Sequence, residues 1–390
     1  MTVEVVSLGC RLNLSESERL RVMLAGSDDL VVVNSCAVTA EAVRQTRPAI
    51  RRARKARPDA RLLVTGCAAE VERSQLAAMP EVDGLVGNAV KLDPRAWNTP
   101  TALKTRAPTH TRAFVQVQNG CDHACTFCVI PQGRGKSRSS HQHEVLSDVA
   151  HHLDGGAQEV VLTGVDLTSW GAGLPNEPRL GSLVDAILTA FPQLDRLRLS
   201  SLDGIEIDDE LLELLGSEPR VMPHLHLSLQ SGDDLILKRM KRRHSRRDAV
   251  DLVGGLRDRR PDIAIGADII AGFPTEDEAA HGGNLSIIRE LAIVHGHIFP
   301  YSPRPGTPAA RMPQNPPATI KARAAELRAA VAKERERWLS SLIGQPLAVL
   351  AERDGTGHAP NFARVELPAG TVPGSIVTIT PTRIIEGLLA

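Results

Sequence analysis

Residues 113–131 read AFVQVQNGCDHACTFCVIP and join a strand-like run to a compact group of thiols. The run Ala113–Gln118 predicts a β-strand, and Cys121, Cys125 and Cys128 follow it in a C-x3-C-x2-C spacing. Iron–sulfur clusters are bound by cysteine thiolates, and a cubane cluster has four iron corners. Three thiolates leave one iron open, so the stretch predicts a strand that leads to a cluster with one free coordination position.

The other three cysteines are scattered upstream, and each follows an apolar run. Strand-like and helical segments alternate here, which predicts βαβ units and a parallel sheet. Ligands gather outside the carboxyl ends of the strands in such sheets, and each of these cysteines lies just past a strand end. We therefore expect them to meet at one sheet edge and to hold a second cluster with an open corner. The strands are Val3–Leu8, Leu30–Val33 and Arg61–Thr65, the helices are Ser15–Ala25 and Glu41–Ala56, and the cysteines are Cys10, Cys36 and Cys67.

Two other uses of six cysteines fit less well. A disulfide framework is typical of small secreted chains, whereas this one has 390 residues and opens on a strand-like run without a signal-peptide pattern. Structural zinc favours two close cysteine pairs, and only one close group is present. No stretch approaches the roughly 20 apolar residues of a membrane span. These features favour a cytoplasmic protein with no membrane partner, because reducing cytosol suits unpaired thiols.

Six strand-like segments with helical segments between them follow residue 112. Six βα units predict a partial (βα)6 barrel, whose chemistry takes place at the carboxyl ends of its strands. We expect an α/β fold with an N-terminal parallel α/β domain at residues 1–105, this barrel at 106–320, and a helix plus a small C-terminal β-barrel at 321–390. A Thr- and Pro-rich linker is expected over residues 98–112. The barrel strands are Ala113–Gln118, Glu159–Thr163, Leu194–Leu199, Pro223–Leu229, Ile263–Ile270 and Ile293–Phe299.

Small or polar residues near the ends of the barrel strands are candidate contacts for a polar cofactor. In HLHLSLQSG, His226 and Gln230 share one strand face, which predicts a polar inward row. The pairs His224/His226 and His295/His297 could ligate a metal, but no carboxylate or cysteine stands at a matching spacing, so hydrogen bonding within the barrel is preferred. The cofactor contacts expected are Thr163, Gly164, Ser200, Gln230 and Asp268.

Two basic segments indicate contact with nucleic acid. Residues 44–61 carry eight Arg or Lys side chains against one aspartate, and residues 238–247 read KRMKRRHSRR. Cations that share one stripe release counterions when they bind phosphates. The alternative for each segment is a solvated helix face. Aromatic residues make up only 3% of the chain, which argues against a base-stacking surface.

The chain resembles the radical S-adenosylmethionine methylthiotransferases over nearly its full length. The resemblance rests on SLGCRLNLSESE, VVNSCAVT, VTGCAAE, NGCDHACTFCVIP, LTGVDLTSWG, HLHLSLQSGDDLILKRM, AGFPTE and FPYSPRPGTPAARM. It is most similar to the branch acting on threonylcarbamoyl-adenosine beside the tRNA anticodon, through LGCRLN, the basic helix after NSCAVT, and HIFPYSPRPGTPAARM. The C-terminal RNA-binding module of the family is usually longer than the one found here.

The resemblance implies that the C-x3-C-x2-C thiols hold a 4Fe–4S cluster that chelates S-adenosylmethionine and cleaves it to methionine and a 5′-deoxyadenosyl radical. It implies that the three upstream thiols hold an auxiliary 4Fe–4S cluster, whose sulfide is methylated by a second S-adenosylmethionine and transferred to carbon 2 of the adenine at position 37. The partners implied are tRNA, an electron donor such as flavodoxin or ferredoxin, and a sulfur donor. Three alternatives remain: isopentenyl-adenosine tRNA as substrate, a ribosomal protein aspartate as substrate, and a non-catalytic tRNA-binding protein with a structural metal.

Overall fold

The computed structural model of the protein describes residues 3–27, 29–38, 40–98 and 111–390. The linker predicted over residues 98–112 lies mostly outside these ranges. The described chain is an α/β protein with parallel sheets in its first two parts and a mostly antiparallel sheet at its end. None of the helices within these ranges combines the length and the apolar character that crossing a membrane would require.

The first part is a parallel sheet flanked by helices. Its strands and helices are β1 (Glu4–Ser7), α1 (Arg11–Met23), β2 (Leu30–Ser35), α2 (Ala40–Ala56), β3 (Arg61–Gly66), α3 (Cys67–Val71), α4 (Arg73–Ala77) and β4 (Gly84–Leu85). The strand order is β1-β2-β3-β4. Every residue of β2 is buried, since Val31 and Val33 enter one apolar core and Val32 the other. Helix α1 begins earlier than its pattern predicts, because Cys10 is extended and caps it.

The second part is an open (βα)6 barrel. Its elements are β5 (Arg112–Gln116), β6 (Gln118–Asn119), α5 (Ile130–Arg134), β7 (Arg138–Ser139), α6 (Gln142–Asp154), β8 (Glu159–Thr163), α7 (Leu180–Ala190), β9 (Arg196–Leu199), α8 (Asp209–Ser217), β10 (His224–Gln230), α9 (Asp234–Arg239), α10 (Arg246–Arg259), β11 (Ala264–Ala271), α11 (Glu278–Glu290) and β12 (Ile293–Pro300). Two parallel sheets, β5-β8-β9 and β10-β11-β12, form its wall. Leu202 joins them: its N–H donates to His226 O (2.8 Å), and its carbonyl accepts from Ser228 N (2.9 Å).

The last part is a long helix followed by a six-stranded sheet. Its elements are α12 (Pro317–Ser341), β13 (Leu347–Ala351), β14 (Thr356–His358), β15 (Arg364–Glu366), β16 (Ile376–Ile379), β17 (Ile384–Ile385) and β18 (Leu388–Leu389). The strand order is β16-β13-β14-β15-β18-β17, around a separate apolar core. Helix α12 lies close on β12, because a Cβ at Gly296 would stand 2.5 Å from Val331 Cγ2.

The C-terminal sheet is docked onto the floor of the barrel, where the strands begin. The Arg196 guanidinium donates to Ala348 O (2.7 Å) and His358 O (3.2 Å). Arg198 forms a buried ion pair with Glu159 (2.9 Å), and its guanidinium carbon lies 4.9 Å from the Phe362 ring centroid. Polar groups of the floor are therefore bonded to the backbone of the C-terminal sheet rather than to water.

Acid is expected to loosen this floor. His224 is buried and His295 half-buried there, and desolvation holds the pKa of each well below 6.5. An unfolded chain takes up these protons below about pH 6.5 whereas the native chain does not, so native stability falls with the pH by up to about 1.4 kcal/mol per unit for each histidine. Urea unfolding of the metal-free protein at pH 7.5 and pH 5.5 measures this loss.

His224→Phe is expected to reduce the pH-dependent loss of unfolding free energy by the contribution of one histidine, because phenylalanine takes up no proton. A phenyl ring suits this position, since the His224 ring lies 4.9 Å from the Phe362 ring between centroids. The exposed His143 is the control, and His143→Gln should leave the pH dependence as it is. Equal pH dependence in the parent and His224→Phe would contradict the assignment.

Candidate functional site

The barrel thiols (Cys121, Cys125 and Cys128) lie in the loop between β6 and α5, at the carboxyl end of the first barrel strand. Backbone N–H groups point at two of them: His123 N is 3.4 Å from Cys121 Sγ, and Ile130 N is 3.4 Å from Cys128 Sγ. The three thiols are near enough to interact electrostatically. N–H donors aimed at sulfur stabilise thiolates that ligate iron, so the loop is shaped for a metal cluster.

The sheet thiols (Cys10, Cys36 and Cys67) lie past the ends of β1, β2 and β3, as the strand pattern predicts. Their close approach requires glycine: Gly9 has φ +92°, and a Cβ there would stand 2.5 Å from Cys36 Cβ. Burial, together with the nearby Cys10 and Cys67, raises the pKa of Cys36 to about 11. Cys36 and Cys67 are buried while Cys10 is exposed, so the set is open on one side. All six cysteines are free thiols.

The two thiol sets face each other across α5. This short helix directly follows Cys128 and packs on α3, which begins at Cys67. A Cβ at Gly133 would stand only 3.1 Å from Cys67 Cβ. Asn88 links α5 to Cys67, since its Nδ2 donates to Gly133 O (2.6 Å) and lies 3.9 Å from Cys67 Sγ. Cys128 and Cys67 consequently interact electrostatically. The juxtaposition of the sets could not be read from the sequence.

Carboxylates from two strand ends surround the barrel thiols. Asp166, after β8, lies 3.6 Å from Cys121 Sγ and 3.0 Å from His123 Nε2. Hydrogen bonds with Asp166 and Glu206 raise the pKa of His123 to about 10. Arg243 pairs with Glu206 at 2.6 Å. Sequence reasoning missed these residues, although Asp166 and Glu206 stand shortly after strand ends in LTGVDLTSW and SSLDGIE.

Arg242 bridges the barrel thiols and β10. Its Nη1 lies 3.7 Å from Cys125 Sγ, and its Nη2 donates to Asp203 (2.8 Å) and to Ser228 O (2.9 Å). A guanidinium with fixed partners keeps its charge in one place. The basic run after β10 thus supplies Arg242 and Arg243 to the site itself, which the nucleic-acid interpretation did not anticipate.

The cofactor contacts predicted at the strand ends lie in different environments. The Thr163 hydroxyl donates to Val115 O (3.1 Å), so its side chain is bound to β5, and Gly164 packs on Gln118. The buried Ser200 hydroxyl has no hydrogen-bond partner within the described residues. Gln230 has a positive φ of 69° at the end of β10. Their role as cofactor contacts stays a prediction.

Asp268 binds His226 of the predicted polar row and also His297 of β12. His226 Nε2 lies 2.9 Å and His297 Nδ1 3.0 Å from the same Asp268 oxygen. Burial alone would raise the pKa of Asp268, but the two imidazoles hold it well below its usual range. The three residues are arranged so that they could hold a metal ion. Hydrogen bonding within the barrel, the preferred interpretation of the four histidines, holds for His226 and His297 but not for His224, whose two ring nitrogens have no hydrogen-bond partner among the described residues.

Known proteins match the chain over its full length. Residues 115–281 match the Radical SAM superfamily, and residues 2–87 match "Uncharacterized protein family UPF0004". "Threonylcarbamoyladenosine tRNA methylthiotransferase MtaB" of Rickettsia prowazekii is 43% identical over 404 residues, which cover 99% of this chain and 96% of the relative. The chain belongs to the radical S-adenosylmethionine methylthiotransferases. It is therefore an enzyme of the transferase class, as predicted.

Other methylthiotransferases match at lower identity. The protein of the same name from Aquifex aeolicus is 32% identical, over 97% of this chain and 100% of the relative. "tRNA-2-methylthio-N(6)-dimethylallyladenosine synthase" of Cereibacter sphaeroides is 33% identical, over 97% and 95%. Among solved structures, the radical S-adenosylmethionine methyltransferase TsrM of Kitasatospora setae superposes with a TM-score of 0.54 at 15% identity, over 72% of this chain and 66% of that one. This likeness confirms the radical S-adenosylmethionine fold.

Methylthiotransferases use a 4Fe–4S cluster with S-adenosylmethionine and carry a second cluster. The residues present fit both groups. Each thiol set offers three sulfurs, and Gly9 keeps a Cβ atom away from the Cys36 sulfur, from which it would stand 2.6 Å. Burial raises the pKa of Cys121 and Cys128, so the metal-free thiols are protonated and iron binding would release the protons.

Proposed function

We propose that this methylthiotransferase adds a methylthio group to carbon 2 of N6-threonylcarbamoyladenosine at position 37 of tRNA. The observation that carries the proposal is the pair of thiol sets facing each other across α5, which follows Cys128 and packs on α3 with Gly133 against Cys67. A radical formed at one set and a sulfur held at the other must act on the same carbon, which requires neighbouring sites. The relative from Rickettsia prowazekii, whose name specifies this nucleoside, supports the choice of substrate.

In this proposal the barrel thiols hold the cluster that binds S-adenosylmethionine, and the sheet thiols hold the auxiliary cluster. When bound, the first group supplies one-electron cleavage of the sulfonium and thereby a carbon radical that can remove hydrogen from an aromatic C–H. Arg242 and protonated His123 keep positive charge beside Cys125 and Cys121. Gly164, Ser200, Gln230 and Asp268 line the strand ends as contacts for S-adenosylmethionine, and Thr163 positions Gly164.

Two of the three sheet thiols are shielded from water, and the third lies where substrate can approach. Cys36 and Cys67 are buried, whereas Cys10 is exposed. We place the adenine on the Cys10 side, between the two sets. Closing water out protects a radical from side reactions, so burial of the other two thiols serves the chemistry.

Part of the basic helix α2 is available for tRNA. Arg51 and Arg52 are exposed, although Arg51 Nε lies 3.6 Å from Glu81 Oε1. Arg54 is only partly exposed, pairs with Asp83 (2.6 Å) and donates to Glu81 O and Ala60 O, so its role is structural. Arg51→Glu with Arg52→Glu should weaken tRNA binding and flatten its salt dependence by roughly 0.7–0.9 in slope for each phosphate that is no longer neutralised. Filter binding over a salt series measures both.

The matched control lies on the same helix. Arg54→Gln removes one positive charge from α2 as well, yet we expect its salt slope to equal that of the parent, because its guanidinium already binds Asp83. An unchanged slope in the Arg51/Arg52 variant would indicate that this face of α2 is solvated and does not contact tRNA. A changed slope in Arg54→Gln would show that overall charge, not local contact, sets tRNA binding.

The deciding experiment is anaerobic reconstitution followed by turnover with dithionite, S-adenosylmethionine and tRNA bearing threonylcarbamoyl-adenosine. About eight irons per chain and a methylthio product support the proposal. The same iron content with 5′-deoxyadenosine but no product would indicate a different substrate, either isopentenyl-adenosine tRNA or a ribosomal protein aspartate. Mass spectrometry of tRNA nucleosides from a deletion strain distinguishes these two. Colourless zinc-bound protein would contradict the assignment of both thiol sets to iron–sulfur clusters. Flavodoxin or ferredoxin as electron donor, a separate sulfur donor, and a cytoplasmic location complete the proposal.

A further inference from the structure

A buried charge network lies behind the sheet thiols. Glu16, Lys91 and Arg134 are each at most 3% exposed. Lys91 Nζ lies 2.5 Å from one Glu16 oxygen, and Arg134 Nη1 lies 2.9 Å from the other. The members come from three places in the chain: α1, the segment after β4, and the end of α5. The network therefore joins the first sheet to the barrel at the point where the thiol sets meet.

The network holds more positive than negative charge. Within the described ranges, Glu16 is the only carboxylate in ion-pair distance of Lys91 or Arg134. The remaining contacts are neutral: Lys91 Nζ donates to Asn34 Oδ1 (3.2 Å), and Arg134 Nη1 donates to Asn119 Oδ1 (2.8 Å). A buried charge without a counterion is costly, so a network of two cations and one carboxylate calls for a second anion nearby.

The sheet thiols are the groups that can supply that anion. Arg134 directly follows Gly133, where a Cβ would stand 3.1 Å from Cys67 Cβ. Its Nη2 donates to Asn13 Oδ1, and Asn13 Nδ2 donates to Ser35 O (2.9 Å), the residue before Cys36. Arg304 adds a third cation from another direction: its guanidinium donates to Ala37 O beside Cys36, and its buried Nε lacks a hydrogen-bond partner in the described part of the chain. When the three thiols are deprotonated by iron, their negative charge faces this excess of buried cations.

We propose that Lys91 and Arg134, held in place by Glu16, are the counterions of the auxiliary cluster and raise its reduction potential. This inference rests on the proposed assignment of the sheet thiols to that cluster. Reduction potentials of iron–sulfur clusters depend on nearby charge and on solvent exposure. A fixed cation in a low-dielectric interior favours the reduced, more negative form, and a fixed anion disfavours it. The three residues are positioning residues, since none is required to touch substrate.

The test uses full-length protein in which the barrel thiols are replaced (Cys121→Ala, Cys125→Ala, Cys128→Ala), so that only the auxiliary cluster remains. After anaerobic reconstitution, the midpoint potential is measured by redox titration followed by electron paramagnetic resonance. Arg134→Gln and Lys91→Gln should each shift the potential to more negative values. Glu16→Gln should shift it to more positive values. Arg134→Lys should restore most of the parent potential because it keeps the charge.

The opposite signs separate an electrostatic role from a structural one. Asn119→Ala is the matched control: it removes a neutral hydrogen-bond partner of Glu16 and Arg134, and its potential should stay near that of the parent. If Glu16→Gln fails to fold, Arg134→Lys separates the two roles, because only an electrostatic role predicts that it restores the parent potential. Arg304→Gln then tests a cation outside the Glu16 network, and its loss should shift the potential to more negative values. Circular dichroism and iron content confirm folding and loading for every variant.

Each outcome decides between the two proposals. Roughly four irons in the auxiliary-only protein, with shifts of the stated signs, support the inference. Roughly four irons with all variants at the parent potential, or with Glu16→Gln shifted in the same direction as Arg134→Gln, overturn the inference and leave the proposed function standing. Absence of any iron–sulfur cluster in the auxiliary-only parent overturns the assignment of the sheet thiols and the inference with it.

Discussion

Cys125→Ala is expected to reduce reductive cleavage of S-adenosylmethionine by at least about a thousand-fold, or roughly 4 kcal/mol of activation free energy. The substitution removes one of the three barrel thiols and leaves the cluster short of a ligand. Cys125 is half-buried and its loop is anchored independently, since Thr126 N donates to Met240 O (3.1 Å) and Thr126 Oγ1 to Arg239 O (2.9 Å). The fold should therefore survive. Quantitation of 5′-deoxyadenosine after anaerobic reduction measures the loss.

Iron content provides the internal check for Cys125→Ala. It should fall by about half, because the sheet thiols are untouched. Thr126→Val is the matched control: it removes the anchoring hydrogen bond to Arg239 O while keeping all three thiols, and should retain most of the cleavage. Normal 5′-deoxyadenosine production by Cys125→Ala would exclude the barrel thiols as the site that activates S-adenosylmethionine.

Cys36→Ala is expected to separate the two halves of the reaction. Cleavage of S-adenosylmethionine without product should continue, because the barrel thiols and Arg242 remain, while methylthiolated nucleoside should fall by a similar factor of at least about a thousand. Cys36 is buried directly beneath Gly9, so an alanine there removes only the sulfur and introduces no clash. Parallel quantitation of 5′-deoxyadenosine and methylthio-nucleoside from one reaction gives both numbers.

Ser35→Ala tests whether any disturbance of this sheet edge has the same effect. The Ser35 hydroxyl donates to Thr65 O and is buried, so its loss should cost about 1 kcal/mol of unfolding free energy and leave product formation largely intact. Product from Cys36→Ala at the parent rate would show that the sheet thiols do not hold a catalytic sulfur. Loss of 5′-deoxyadenosine as well would indicate that the two sites assemble only together.

The strands and the thiols that follow them could be predicted from the sequence because both depend on local patterns. Apolar runs such as LVVVNS are buried on both faces of a parallel sheet, and the connections between them contain helices. A cysteine just past such a run must lie at the carboxyl edge, whatever the loop does next. The shared sheet edge is then enough to bring Cys10, Cys36 and Cys67 together.

The meeting of the two thiol sets could not be predicted in the same way. It depends on α5, a helix of five residues that include one proline and one glycine and are too few to show periodicity. It also depends on Asn88, which joins Cys67 to Gly133 across a long stretch of sequence. Partners of this kind are set by tertiary packing, and a single sequence contains no periodic trace of them.

Charge was the least predictable property. Residues 44–61 carry eight basic side chains that look alike in sequence, yet the structure pairs Arg54 with Asp83 and leaves Arg51 and Arg52 exposed. Conversely, Glu16 and Lys91 stand in ordinary surroundings in the sequence and are among the most deeply buried charges in the structure. Whether a charged side chain faces water or a partner depends on residues far away in sequence, such as Asp83 and Arg134.

The docking of the C-terminal sheet restricts how this enzyme can be re-engineered. Phe362 and the carbonyl oxygens of Ala348, His358 and Pro360 close the floor of the barrel against Arg196 and Arg198. Replacing everything after α12 with a module from a relative would therefore expose the fully buried Glu159–Arg198 ion pair to water. The pair would stay buried only if the new module packed on the barrel floor in the same way. Chimeras that keep residues 345–363 and exchange only the distal strands are the ones we expect to leave the barrel intact.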